Sequence, residues 1–122
     1  MVKILVVDDS EYFREVIKEI LIREGYTIIG EASDGAEAVE KFKALRPDIT
    51  TLDVTMPGMD GLEALKRILE FDLDAKVIMV SSSAQHNKVS QALIVGAYEF
   101  LPKPFDEDKL LEVVADIVSG LA

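Results

Sequence analysis

The segment KILVVDD, residues 3–9, places two acidic side chains directly after a short run of aliphatic residues. A continuous aliphatic run of this length is typical of a strand that is covered on both faces of a parallel sheet. Further short apolar or β-branched runs follow along the chain, at residues 27–31, 48–53, 76–81 and 99–101. After each run, apolar side chains recur three and four residues apart, which predicts a helix after each strand.

Five strand–helix units in succession predict an α/β fold of the doubly wound, flavodoxin-like (βα)5 type. Because such crossovers are right-handed, we expect a five-stranded parallel sheet with strand order 2-1-3-4-5 and helices on both faces. Helix caps agree with this division, since Gly25 follows the first helix, Asp34 precedes the second and Asp106 precedes the last. The apolar face predicted for the first helix consists of Phe13, Val16, Ile17, Ile20 and Leu21.

The last predicted helix carries two apolar stripes. The core stripe consists of Leu110, Val114, Ile117 and Leu121, and Leu111 and Val118 lie on a different flank. Two interpretations remain open at this point: the second stripe contacts another chain, or the helix has a broad buried face.

The 122-residue chain contains 23 acidic and 13 basic residues, giving a formal net charge of −10, and it has no cysteine. The length predicts a single domain, which we place at residues 1–122. The lack of cysteine excludes a disulfide framework, a thiolate nucleophile and a cysteine-based zinc site. The acidic excess argues against direct binding to nucleic acid, and no apolar run is long enough for a secretory signal or a membrane span. We therefore expect a cytoplasmic protein that binds neither nucleic acid nor membrane.

Charged and hydroxyl side chains stand at the carboxyl ends of four predicted strands. Asp8 and Asp9 follow the first strand, Asp53 ends the third, Ser81 ends the fourth and Lys103 follows the fifth. Ligands of doubly wound sheets bind beyond these ends, at the switch point between strands 1 and 3. Three carboxylates in one cleft repel one another, and a hard divalent cation such as Mg²⁺ relieves that repulsion. Each residue alone is explained by a helix cap or a turn, but together they predict a phosphoryl group held near a carboxylate and a metal.

Over nearly its whole length, from Lys3 to about Ser119, the sequence resembles the receiver domain of bacterial and archaeal response regulators. The motifs that carry this resemblance are VVDDS at residues 6–10 with Arg14, Asp53 followed by MPGMDG at residues 56–61, and KPF at residues 103–105. The resemblance implies that Asp53 is the phosphoacceptor, which takes a phosphoryl group from a phosphohistidine of a partner histidine kinase. It also implies that Mg²⁺, with Mn²⁺ as an alternative cation, is held by Asp8, Asp9, Asp53 and the backbone carbonyl of Thr55.

The same resemblance implies roles for further residues. Lys103 would bind a phosphoryl oxygen, Ser81 would move to the phosphoryl group, and Phe100 stands at the aromatic switch position, where the family frequently has Tyr. Thr55 and Ser83 occupy the positions that set the lifetime of the phosphate. Pro104 would follow a cis peptide bond. His86 is interpreted as an exposed loop residue just before the fourth helix, since the chain offers it no second histidine or cysteine as a metal-ligand partner.

We interpret the chain as a phosphoacceptor of a two-component system, most consistent with chemotaxis. The resemblance implies two kinds of partner. One is a chemotaxis-type histidine kinase, and the other is an output protein such as a flagellar motor switch or an adaptor. The output protein would bind the face formed by the fourth and fifth strands and the helices that follow them. We expect a monomer, and a protein that catalyses its own phosphorylation and dephosphorylation rather than an enzyme with a separate substrate.

Several alternatives stay open from the sequence. The chain could be a receiver cut from a longer regulator, although we expect no effector domain after the short tail at residues 119–122, or an intermediate of a phosphorelay. A magnesium-dependent phosphatase would show Asp-x-Asp after a strand, and residues 53–55 read Asp-Val-Thr. A flavodoxin-like nucleotide or flavin binder would need a phosphate-binding loop after the first strand, where Asp8 and Asp9 would repel a phosphate.

Overall fold

Strands and helices alternate along the chain in a computed structural model of the protein. The structure describes residues 1–82, 86–104 and 106–121, with only the backbone described for residues 86 and 87. The elements in chain order are β1 Lys3–Val7, α1 Glu11–Arg23, β2 Thr27–Ala32, α2 Gly35–Leu45, β3 Ile49–Asp53, α3 Gly61–Phe71, β4 Val77–Ser82, α4 His86–Val95, β5 Glu99–Lys103 and α5 Glu107–Leu121. All strands pair in parallel in the order β2-β1-β3-β4-β5. The predicted fold class and strand order are confirmed.

Helix ends follow the predicted capping chemistry. The Asp34 side chain accepts the backbone N–H of Glu37, and Asp106 Oδ1 accepts the backbone N–H of Asp108. Gly25 has a φ of 89°, a left-handed conformation that favours glycine and lets the backbone N–H of Gly25 donate to the carbonyl of Ile22. These local interactions set where the helices begin and end.

Strand boundaries differ by one or two residues from the sequence-based expectation, since β2 ends at Ala32, β3 begins at Ile49 and β4 spans Val77–Ser82. β5 continues through Pro102 to Lys103, beyond the predicted end at residue 101. Because β5 pairs only with β4 at the sheet edge, the missing N–H of a proline is tolerated there. His86 begins α4 instead of preceding it, and its side chain lies outside the described residues.

Helices cover the sheet on both faces, so its central strands are buried on both sides. One core lies under α2, α3 and α4, and the other lies under α1 and α5. Leu111 and Val118 are partly buried against the second core, which favours the broad buried face over a separate contact stripe. Leu121 was expected in the core, but its side chain is 45% exposed because it lies at the very end of α5.

Within the described ranges, no helix is both long enough and apolar enough to cross a membrane.

Candidate functional site

The carboxylates of Asp8, Asp9 and Asp53 meet at the carboxyl end of the sheet, where one oxygen from each lies within 4.8 Å of the others. Strand pairing causes this meeting, because Val7 of β1 is in register with Leu52 of β3 and each acid is the next residue along its chain. Asp8 and Asp53 are buried, whereas Asp9 is exposed. The site therefore concentrates negative charge at the predicted switch point between β1 and β3.

Lys103 reaches into this cluster from the end of β5. Its Nζ lies 2.7 Å from Oδ2 of Asp8 and 3.5 Å from Oδ2 of Asp53. Lys103 pairs with Ser82 in the sheet, so its long side chain crosses the end of β4 to reach the two acids. The structure thus brings together four residues that the sequence analysis assigned to one site from three separate strand ends.

One lysine does not balance the carboxylates. Burial, and then the charge of Asp8, raise the pKa of Asp53 from 3.8 to about 7, against the opposing effects of Lys103 and of the Thr55 N–H. Unless further positive charge enters the pocket, a raised pKa of this size leaves a large fraction of Asp53 protonated at neutral pH.

The buried atoms of the site fit a hard divalent cation. Oδ1 of Asp8 accepts the backbone N–H of Ser10 at 2.9 Å. Among the described residues, Oδ2 of Asp8 has no hydrogen-bond partner, and its 2.7 Å contact with the Lys103 ammonium is an ion pair. A buried carboxylate oxygen without a hydrogen bond, beside two more carboxylates, is the oxygen-rich ligand set that Mg²⁺ prefers.

The remaining predicted residues surround this pocket. Ser81 is buried at the end of β4, and its hydroxyl donates to the carbonyl of Ser82 at 3.2 Å. Thr55 is exposed, and its backbone N–H donates to Oδ1 of Asp53 at 3.4 Å. Phe100 is partly buried against the core under α2, α3 and α4. The Lys103–Pro104 peptide bond is cis, as the resemblance implied. Ser83 and Phe105 lie outside the described residues.

Glycines allow the loop at residues 54–60 to lie close to the site. A Cβ on Gly61 would stand 2.0 Å from the carbonyl oxygen of Asp53, and one on Gly35 would stand 2.3 Å from the carbonyl oxygen of Met59. Both contacts are with backbone, which cannot move aside as a flexible side chain would. The absence of a side chain at these two positions therefore sets how closely α2, the loop and β3 approach one another.

Sequence reasoning missed two residues of α1 that support the site. The Arg14 guanidinium donates to the carbonyl of Asp8 at 2.7 Å and to Oε1 of Glu31 at 3.1 Å. The Phe13 ring lies against Lys103, with 4.3 Å between its centroid and Nζ. Arg14 appeared only as part of a motif, and Phe13 only as part of an apolar helix face. Helical spacing carries no signal for a contact with β5, which is about ninety residues away in the chain.

A parallel doubly wound sheet with this acidic pocket and lysine defines a class of signalling domain. Residues 4–115 match the family model for the response regulator receiver domain, and the chain belongs to that family.

Several curated relatives bear the name chemotaxis protein CheY. The chain is 46% identical to CheY of Bacillus subtilis over 112 residues, covering 92% of this chain and 93% of the relative. It is 43% identical to CheY of Thermotoga maritima, covering 92% of this chain and 93% of the relative. Among solved structures, CheY in the CheX-CheY-BeF3-Mg complex of Borrelia burgdorferi matches with a TM-score of 0.91 and 43% identity, over 96% of this chain and 89% of that one. The protein is therefore a CheY-like receiver domain, consistent with chemotaxis-type signalling.

Proposed function

We propose that this receiver accepts a phosphoryl group on Asp53 from a phosphohistidine of a histidine kinase and thereby switches a chemotaxis-type output. The observation that carries the proposal is the meeting of Asp8, Asp9, Asp53 and Lys103 in one pocket. The Borrelia burgdorferi CheY structure, which was determined with BeF3 and Mg, supports the same chemistry for this pocket.

In the proposed transfer, a carboxylate oxygen of Asp53 forms a bond to phosphorus while the phosphorus–nitrogen bond of the phosphohistidine breaks. Asp8, Asp9, Asp53 and the carbonyl of Thr55 would hold Mg²⁺, or Mn²⁺, which supplies positive charge that keeps Asp53 ionised and neutralises the phosphoryl oxygens. The Lys103 ammonium binds a phosphoryl oxygen as a point charge. Positioning and charge neutralisation account for most of the catalysis in such transfers, so these few groups suffice.

The switch then depends on two residues near the pocket. The Ser81 hydroxyl has a weak neighbouring acceptor, the Ser82 carbonyl, and can exchange it for a phosphoryl oxygen. In the proposed switch, the movement of Ser81 is followed by a change in the packing of Phe100, which is only partly buried. This two-state shift would alter the surface formed by β4, α4, β5 and α5.

That surface is the proposed binding site for an output protein such as a flagellar motor switch or an adaptor. It already exposes apolar side chains, since Ile94 is 85% exposed and Leu93 and Tyr98 are also accessible. The protein would act in the cytoplasm as a monomer. It would catalyse its own phosphorylation and dephosphorylation without a separate substrate, with Thr55 and Ser83 setting the lifetime of the phosphate.

The test is incorporation of phosphate from acetyl phosphate in the presence of Mg²⁺, followed by phosphate-affinity gel electrophoresis. Asp53→Asn should abolish incorporation, whereas the matched variant Asp74→Asn, at an exposed loop acid, should behave as the wild-type protein. Incorporation into Asp53→Asn at the wild-type rate would contradict the assignment. Continuous release of phosphate from a simple phosphate monoester would favour a phosphatase instead.

A further inference from the structure

Phe13 places its aromatic ring against the lysine of the site. The Lys103 Nζ lies 4.3 Å from the ring centroid, well within the distance of about 6 Å at which a ring face attracts an ammonium. The Lys103 side chain is only 13% exposed, so little water screens this contact. We propose that Phe13 is a positioning residue that holds the Lys103 ammonium beside Asp53 while the site contains a divalent cation and a phosphoryl group, a role that rests on the function proposed above.

Hydrogen bonds fix the ring relative to the acids. The backbone N–H of Ser10 donates to Oδ1 of Asp8 at 2.9 Å, and the Ser10 hydroxyl accepts the backbone N–H of Phe13 at 3.3 Å. The Tyr12 ring packs edge-to-face on the Phe13 ring at a centroid distance of 5.4 Å. One short segment therefore supplies both a carboxylate and an aromatic face to Lys103, in a relative position set by the cap of α1.

The ring differs from the other partners of Lys103 in one respect. Asp8 and Asp53 attract the ammonium, but both are also expected to bind the divalent cation. When the carboxylates hold that cation, their attraction for Lys103 is largely cancelled, and the cation repels the ammonium. Phe13 is uncharged and is not a metal ligand, so its attraction persists and keeps the ammonium from moving outward to solvent.

The primary experiment measures the affinity for beryllofluoride at saturating Mg²⁺ by ¹⁹F NMR titration. Phe13→Leu keeps an apolar side chain but removes the aromatic face, and it should weaken beryllofluoride binding by about 2- to 30-fold. Phe13→Tyr retains the ring and should restore the wild-type affinity. Phe71→Leu is the matched control, because it removes a ring that faces the Arg46 guanidinium at the end of α3, and it should leave the beryllofluoride affinity unchanged.

Two further measurements separate positioning from general structural support. The affinity for Mg²⁺ alone, measured by calorimetry, should not fall in Phe13→Leu, because the ring touches no carboxylate ligand in the proposal. In a Lys103→Met background, Phe13→Leu should cause no additional loss of beryllofluoride affinity, because the ammonium that it holds is absent.

The proposal is overturned if Phe13→Leu binds beryllofluoride like the wild-type protein, if its Mg²⁺ affinity falls in parallel, or if the same loss recurs in the Lys103→Met background. A wild-type protein that does not bind beryllofluoride with Mg²⁺ contradicts the proposed function as a whole. A wild-type protein that binds it, with a Phe13→Leu variant that binds equally well, contradicts only the role of Phe13.

Discussion

Replacement of Asp53 by Asn should stabilise the metal-free protein, and the gain should grow as the pH rises. Burial is the main cause that raises the pKa of Asp53 from 3.8 to about 7 in the folded chain. In the unfolded chain the group is solvated and ionises near its ordinary pKa. Between these two values the folded state keeps a proton that the unfolded state releases, so the stability of the wild-type protein falls as the pH rises through this window.

The size of the effect follows from the shift. The shift spans about 3 pH units, and each unit corresponds to about 1.4 kcal/mol, so the contribution reaches a ceiling of about 4 kcal/mol above pH 7. Well below the ordinary pKa of 3.8 the contribution vanishes, because Asp53 is then protonated in both states. Asn does not titrate, so Asp53→Asn should exceed the wild-type free energy of unfolding by about 1 to 4 kcal/mol at pH 8, and by less at pH 5.

Urea unfolding followed by circular dichroism at pH 5, 6, 7 and 8 in the presence of EDTA measures this difference. Asp74→Asn, which replaces an exposed acid outside the pocket, controls for the loss of one negative charge in an acidic protein. A gain of Asp53→Asn that is the same at every pH, or a loss of stability at pH 8, would refute the reasoning.

The remaining predictions concern the metal and the backbone around the site. Addition of Mg²⁺ at 100 times its dissociation constant should raise the free energy of unfolding of the wild-type protein by about 2.7 kcal/mol, and by much less in Asp53→Asn, with KCl of equal ionic strength as the control. Thermal unfolding measures this, and equal stabilisation of both proteins would argue against a site that includes Asp53. Gly61→Ala should destabilise the protein by about 1 to 3 kcal/mol, because its Cβ would stand 2.0 Å from the Asp53 carbonyl oxygen. Gly120→Ala, whose Cβ would meet open space, should leave the stability unchanged or raise it by up to about 1 kcal/mol, and similar losses in both variants would count against the steric account.

The elements of the fold are largely predictable because each is encoded locally. The apolar face predicted for the first helix includes Ile17, Ile20 and Leu21, which are buried in α1. The capping signals at Asp34 and Gly25 likewise act within a few residues of themselves. The end of β5 was less predictable. Whether Pro102 ends a strand depends on whether that strand lies at the sheet edge, and edge position is a property of the assembled sheet.

The functional site also has features that the sequence predicts and features that it does not. The acids at the ends of β1 and β3 are predictable as neighbours because parallel pairing and strand order place them together. The electrostatic state of Asp53 is not predictable from the sequence, since its raised pKa depends mainly on burial in the folded chain. The partners of Lys103 also depend on how far its side chain reaches past β4.

The amino-acid sequence by itself determined the succession of strands and helices, the parallel sheet and the identity of the residues at the strand ends. It did so because propensity, capping and apolar periodicity act over a few residues. Only the tertiary structure decided that Phe13 faces Lys103, that Arg14 holds the carbonyl of Asp8, and that Oδ2 of Asp8 is buried without a hydrogen bond. These features arise where side chains from distant parts of the chain share one small volume, and their distances and desolvation exist only once the sheet and helices have packed.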